Sequence, residues 1–379
     1  GTTVRGTIAG LMLRQGQAEG RDFSQEADCD FKTLFIDNQA IFQNAYPALT
    51  EDLKICSTIR VMPSTALSSK NKSGFKPKKN GVFDTLIDRF CADAYGRIYD
   101  PNCPTDGDRV DAFKGLYSVD DRQYQIHSAT TRLLTRVGIN RRRATAEDQV
   151  LYSVQVLNEM KQHQDDEVNT VFVGNIWVCD ALAESLRDYL AGQGGQCRLG
   201  GSASRGLGKV KLKPESIELP CTIKHRIITF NKTLKTRWKR WQIFGDIPTE
   251  SIEDRYFFTL DLQSDAILTE NWQRTMVISE SMLMQAVGLK EGDLRLHQAY
   301  SSYGQRSGWN TAWGLPKDNQ LMTTSGSVFL FSIDAADREA WLPKLAALEI
   351  WGIGSATAEG FGQVRVCDEF HNVLREDAK

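Results

Sequence analysis

Gly201-Ser202-Ala203-Ser204-Arg205-Gly206-Leu207-Gly208-Lys209-Val210-Lys211-Leu212 has a second version later in the chain: Gly354-Ser355-Ala356-Thr357-Ala358-Glu359-Gly360-Phe361-Gly362-Gln363-Val364-Arg365-Val366. With one insertion the two align as a glycine-rich loop running into an alternating valine, cation and aliphatic segment. A repeat of this kind decides the architecture before any single element does.

The flanks repeat as well. Before the first loop stand an apolar strand candidate, Val171 to Val178, and a helix marked by Leu182, Leu186 and Leu190 at four-residue spacing. Before the second stand Ser327 to Phe331 and a helix from about Ala336 to Leu348. After each loop, Val210 with Leu212 and Val364 with Val366 alternate as in a half-buried strand. In the second copy Tyr256 to Leu262 alternates like a strand, Ser279 to Val287 reads as helix and Asp293 to Tyr300 as extended. Strand–helix–strand–strand–helix–strand is the ferredoxin-like order. In the first copy, Thr3 to Leu13 supplies the first helix, and the opening Gly/Thr stretch reads as its cap. A strand before it is expected to precede residue 1, in keeping with the missing initiator methionine.

The expected fold class is therefore α+β: two ferredoxin-like (RRM-related) modules with glycine-rich loops and a long insertion in the first. Expected boundaries are 1–220 for the first module, with the insertion at about 20–120, then a basic linker at 221–250 and the second module at 251–379. The insertion carries a polar run, Ser68 to Gly74, and a basic run, Lys76 to Lys79, and reads as irregular loop.

At 379 residues with 41% hydrophobic and 25% charged content, the chain is long enough for two globular domains. A net charge of −2 makes any phosphate-binding surface a matter of local clustering. No apolar run reaches the ~20 residues needed to span a bilayer, and no signal peptide is visible. Eight scattered cysteines read as reduced thiols, so a cytoplasmic location is expected.

Glycines allow close backbone approach, and successive amides form an anion-binding concavity. The candidate RNA contacts at the loops are Gly201, Ser202, Ser204, Arg205, Gly206 and Lys209 in the first, and Gly354, Ser355, Gly360, Phe361 and Gly362 in the second. A second group lies in the carboxylate-free basic stretch from Lys224 to Trp241, where Arg237, Trp238 and Arg240 interleave cations with aromatic rings. The alternative there is a solvated linker with its tryptophans buried against a neighbour. A third comprises Arg136, Asn140, Arg141 and Arg143, suited to bidentate phosphate contact or, alternatively, to a charged helix start. Arg5 joins them in the opening segment.

Catalytic spacing is poorly supported. His127, His163, His225, His297 and His371 form no metal-binding pattern, and His225 alone sits in the basic stretch as a potential general acid or base. Cys91 and Cys103 resemble half of a zinc ribbon, but aspartate stands where a further cysteine is needed. No metal, cofactor or catalytic residue is expected.

These residues resemble the RAMP superfamily of CRISPR effector proteins, whose mark is a glycine-rich loop near the C-terminus, here Gly352 to Val364. Gly1-Thr2-Thr3-Val4-Arg5-Gly6 looks like the segment that follows the first strand in type III members. Val137 to Arg141 leading to Leu151-Tyr152-Ser153, and Ser307 to Asn310 leading to Trp313 to Lys317, are similar to the type III-D five-group subunit. The resemblance implies a subunit that is not an enzyme. Such a subunit grips the 5′ repeat-derived tag of the CRISPR RNA and caps the complex beside the large polymerase-like subunit and neighbouring backbone subunits. Two other classes stay open: a metal-independent endoribonuclease acting on repeat RNA, and a backbone subunit that cleaves target RNA through a loop aspartate. The region from Thr2 to Leu13 has no histidine where the nuclease relatives place one, and two fused modules disfavour a backbone subunit.

Overall fold

The computed structural model describes residues 1–23, 30–120, 123–140, 142–143, 145–163, 166–193, 195, 197–218, 222–245, 252–289, 292–310 and 314–379. The chain is α+β, and its segments interleave into two compact units. Gly1–Asn44, Val61–Lys114 and Asn175–Lys379 make the larger, Ala45–Arg60 and Gly115–Gly174 the smaller.

In the larger unit, helix α1 (Thr2–Ala18) turns Ile8 inward against Phe31, Leu34, Phe35 and Phe42, with Val4 and Met12 packed beside it. Helix α2 (Leu86–Ala94) follows strands Ala66–Ser69 and Val82–Asp84. These two strands pair, and Val110–Ala112 adds to the other edge of the first. The part of the insertion from 66 to 112, expected to be irregular, is thus a small sheet and a helix. The expectation failed because the polar run, Ser68 to Gly74, straddles a strand end: Ser68 and Ser69 are buried, with hydroxyls donating to Gly81 O and Asp106 Oδ2.

Helix α3 (Asp180–Gly192) presents Leu186 and Leu190 to the α1 core, with Leu182 partly buried beside them, as their spacing requires. Ile41–Phe42 pairs antiparallel with Ile176–Trp177. The expected strand at Val210 and Leu212 does not form; a single bridge, Arg198 to Lys209, stands in its place. Around that bridge Leu199 N donates to Gly208 O at 2.8 Å and Val210 N to Cys197 O at 3.0 Å, a pairing too short to count as a strand.

Helix α4 (Ile223–Trp241) occupies the span read as a linker. Ile223, Ile227, Phe230, Leu234 and Trp238 line one side of it and are buried, while Lys224, His225, Lys232, Lys239 and Arg240 face solvent. Asn231 fastens the helix to the sheet, donating to Phe257 O and accepting from Phe257 N.

The second module follows the expected order. Its strands are Arg255–Leu262, Arg295–Tyr300, Val328–Asp334 and Val364–Val366, with α5 (Glu280–Ala286) and α6 (Arg338–Trp351) as the crossovers. They pair antiparallel in the spatial order second, third, first, fourth. The first and third strands are buried almost throughout, so both faces of the sheet are covered, and α2, α4, α5 and α6 all contribute to one core with it. The segment from Val373 to Lys379 returns to the insertion: Lys379 exchanges backbone hydrogen bonds with Val82, and Asp84 N donates to Val373 O.

The smaller unit is built of antiparallel pairs. The longest is the hairpin Thr131–Asn140 with Thr145–Leu157. Tyr46–Pro47 pairs with Phe172–Val173, so the stretch from Val171 to Val178 read as one strand is two short ones.

Candidate nucleic-acid interface

The two glycine loops have one backbone. Gly200 and Gly354 have φ of +90° and +89°, Ser202 and Ala356 +57° and +58°, Gly206 and Gly360 +88° and +89°, Gly208 and Gly362 +77° and +63°. The hydrogen bonds repeat too. Leu199 N donates to Gly208 O, and Ile353 N to Gly362 O, each at 2.8 Å. Each loop centres on a short 3-10 turn, Ala203–Arg205 and Thr357–Glu359. The correspondence therefore runs without a gap, Gly200 on Gly354. This corrects the alignment that placed Gly201 on Gly354 and needed an insertion. The left-handed positions decide the register, because they are the ones a side chain resists.

In this register Arg205 takes the place of Glu359, and Lys209 that of Gln363. The shared geometry needs glycine at its last position: a Cβ on Gly362 would lie 1.8 Å from Ile353 O, and one on Gly208 2.2 Å from Leu199 O. Gly362→Ala combines that clash with a left-handed φ and is expected to cost at least ~2 kcal/mol. A urea titration of the full chain checks it.

The loops differ in what surrounds them. Around the second, a Cβ on Gly360 would meet Phe42 O at 2.6 Å, Gly1 Cα at 3.0 Å and Asn44 Oδ1 at 3.2 Å. The guanidinium of Arg306 lies 4.5 Å from the Phe361 ring centroid, and its Nη2 donates to Thr2 Oγ1 at 3.4 Å. The second loop is thus seated on the first module, with Gly360 and Gly362 buried, while Gly354 and Ser355 remain exposed. Arg365 beside it is held by Asp368 and Glu369.

The first loop faces outward. Nothing lies within 4 Å of a Cβ placed on Gly200, Gly201 or Gly206. Gly201, Ser204, Arg205, Gly206, Lys209 and Lys211 are exposed, and Ser202 is half-buried. From Tyr189 to Pro214 the chain has no carboxylate, while Arg198, Arg205, Lys209, Lys211 and Lys213 all fall there. Arg198 also donates to Leu207 O at 3.2 Å, which ties one of these cations to the loop itself.

Other candidates are used by the fold. Arg5 donates to Phe35 O and Asn38 Oδ1. Arg237 pairs with Asp88 and Glu376, and Trp238 is buried against Phe90, so neither is presented to a ligand as the sequence reading had it. Arg240 is exposed on the outer face of α4. Arg136 lies half-buried on the long hairpin and Asn140 ends that hairpin's first arm, which replaces the charged helix start considered for this stretch. Arg143 is exposed at its turn, and Arg141 lies outside the described residues.

His127 is buried with Nε2 2.7 Å from Ser118 Oγ, and burial pushes its pKa down. His297 and His371 are likewise engaged within the second module, whereas His225 is exposed on α4. Cys91 lies in the main core, where burial pushes its thiol up to about 12. Among the described residues no three metal-ligating side chains cluster. No helix among them is long and apolar enough to cross a membrane.

No protein-family model and no curated protein matches the chain. Among solved structures it is similar to one described as the cryo-EM structure of the type III-B Cmr-beta bound to cognate target RNA. Identity is 12% and the TM-score 0.36, over 95% of this chain and 84% of that one. At that level the likeness carries no residue-by-residue correspondence.

Proposed function

We propose that the chain is a non-catalytic subunit of a type III CRISPR ribonucleoprotein that holds CRISPR RNA, at its 5′ repeat-derived tag, on the first glycine loop. The observation that carries this is the contrast between two loops of one backbone. Over Gly360 in the second loop lie two oxygens of the first module, Phe42 O and Asn44 Oδ1, with Glu359 alongside. Over Gly206 in the first, the same ground is open to solvent, and the glutamate is replaced by Arg205. An external oxygen-bearing anion fits where the second loop accommodates an internal carbonyl. The carboxylate-free cationic segment around it supplies the salt-dependent attraction that a phosphate chain needs. The motifs shared with the RAMP superfamily supply the CRISPR RNA, and the polymerase-like and backbone subunits, as the partners of this reading.

Arg205→Gln with Lys209→Gln is expected to weaken RNA binding and to flatten its salt dependence. The log–log slope should fall by about 0.7 for each single-strand phosphate that is no longer neutralised. Glu359→Gln, at the corresponding site of the seated loop, is expected to leave that slope unchanged. The measurement is anisotropy of an end-labelled RNA across a salt series, made alongside sequencing of RNA that co-purifies with the chain. Short CRISPR RNAs sharing one 5′ tag support the reading; an unchanged slope in the double variant sinks it. Cutting of repeat RNA by the isolated chain, abolished by His225→Ala, would make it a processing nuclease instead.

A further inference from the structure

Leu268–Glu270 and Gln273–Thr275 form a tight hairpin in the second module, with Glu270 opposite Gln273. Its two-residue loop is Asn271 at φ +48° and Trp272 at φ +66°. Such turns favour asparagine followed by glycine, because both positions are left-handed. Here the second is tryptophan, a residue whose Cβ disfavours the left-handed region, and it is 99% exposed. The ring offsets none of this by packing.

The hairpin beneath it is held firmly. Ser355 N donates to Ile267 O at 2.9 Å, and Gly354 lies so close that a Cβ there would stand 2.6 Å from the same oxygen. Leu268 is fully buried, Arg274 Nη1 donates to Thr269 Oγ1 at 2.7 Å, and Glu270 accepts from Ser279 and Ser281. The ring is thus a projecting aromatic on a braced support, braced in part by the seated glycine loop.

We propose that Trp272 is a stacking platform for an unpaired base of the bound RNA, a contact on the second module separate from the first glycine loop. The residues around it suit that occupant. Asn271 and Gln273 flank the ring with exposed amides able to meet a base edge, and Arg274 adds an exposed guanidinium. A protein pocket would be favoured by an apolar surround, and the turn has none. A base needs only the face of the ring.

The proposal rests on the RNA-binding function proposed above, and its test separates the two. The full chain is titrated with an end-labelled, unstructured single-stranded RNA while anisotropy and tryptophan emission are read. Trp272→Ala is expected to weaken binding about 5- to 150-fold, the equivalent of one stacked base. Its salt slope should stay that of wild type, since stacking releases no counterions. Trp272→Phe, which keeps a ring, is expected to retain most of the affinity, and neither change should lower the thermal midpoint of so exposed a site. Equal RNA affinity in Trp272→Ala and wild type overturns the proposal and leaves the function standing. Loss of a protein from the purified complex at unchanged RNA affinity also overturns it, by assigning the ring to a protein pocket. A wild-type chain without RNA affinity at low salt fails the function itself, and this contact with it.

Discussion

Arg237→Ala is expected to destabilise the larger unit by about 3–5 kcal/mol, with little effect on the salt slope of RNA binding. Asp88 is fully buried on α2 and receives Arg237 through Nε and, at 3.0 Å, Nη2, while Trp241 Nε1 adds a third bond at 2.9 Å. Arg237 Nη1 reaches on to Glu376 at 2.6 Å. Truncating the arginine leaves a carboxylate in the interior with one neutral donor. Arg237→Lys should recover little, because a single ammonium cannot reproduce the two-pronged contact. Replacing Asp88 and Arg237 together by leucine and methionine is expected to recover most of the loss, since burying neither charge removes the desolvation term. Chemical denaturation of the three variants is the measurement. An Arg237→Ala chain as stable as wild type but with a flattened salt slope would return this residue to the RNA surface.

The second large effect is at His371, buried with Nε2 2.7 Å from Asp261 Oδ1 and Nδ1 3.2 Å from Asp84 Oδ1. Both carboxylates have other donors: Thr259 Oγ1 and Asp368 N on Asp261, Thr65 Oγ1 and Leu86 N on Asp84. Burial alone pushes the imidazole pKa down; Asp261 and then Asp84 outweigh it and hold it well above 6.5. A group whose folded pKa is raised stabilises fully below its unfolded value and loses that contribution as pH rises toward the folded one. Stability is therefore expected to fall from about pH 6.5 upward, with a limiting slope near 1.4 kcal/mol per pH unit. His371→Gln should remove that slope and cost about 3–5 kcal/mol at neutral pH. A wild-type denaturation midpoint flat through this range, or one that rises, would contradict the charged assignment.

Much of the second module was legible because each of its elements carries its own period. Tyr256 to Leu262 and Ser279 to Val287 lie within a residue or two of the observed strand and helix. The helix at 223–241 was missed although Ile223, Ile227, Phe230, Leu234 and Trp238 repeat at helical spacing. The cations between them give the span a linker's composition, yet the apolar stripe decides what folds. That same stripe takes Trp238 into the core, and Asp88, distant in sequence, takes Arg237. The loop repeat was legible as a motif but not in register, since matched residue names do not report which positions are left-handed. Nothing local marks the second loop as seated or the first as open, because that difference is made by Gly1, Phe42 and Asn44. Trp272 could have been found from the segment Glu270-Asn271-Trp272-Gln273, where asparagine begins a turn between two short polar arms.

The pairing of Val82 and Asp84 with Lys379 and Val373 has a consequence for how the chain is made. Synthesis delivers residues 82–94 long before 366–379, so the insertion sheet waits with one edge open and Asp84 without His371. Until the later segment arrives, the early one is an unpaired strand beside the unneutralised carboxylate of Asp84, a species that invites premature pairing. A nascent chain released before residue 366 therefore holds nearly every element of the fold and still lacks the closure that would let the larger unit stand by itself.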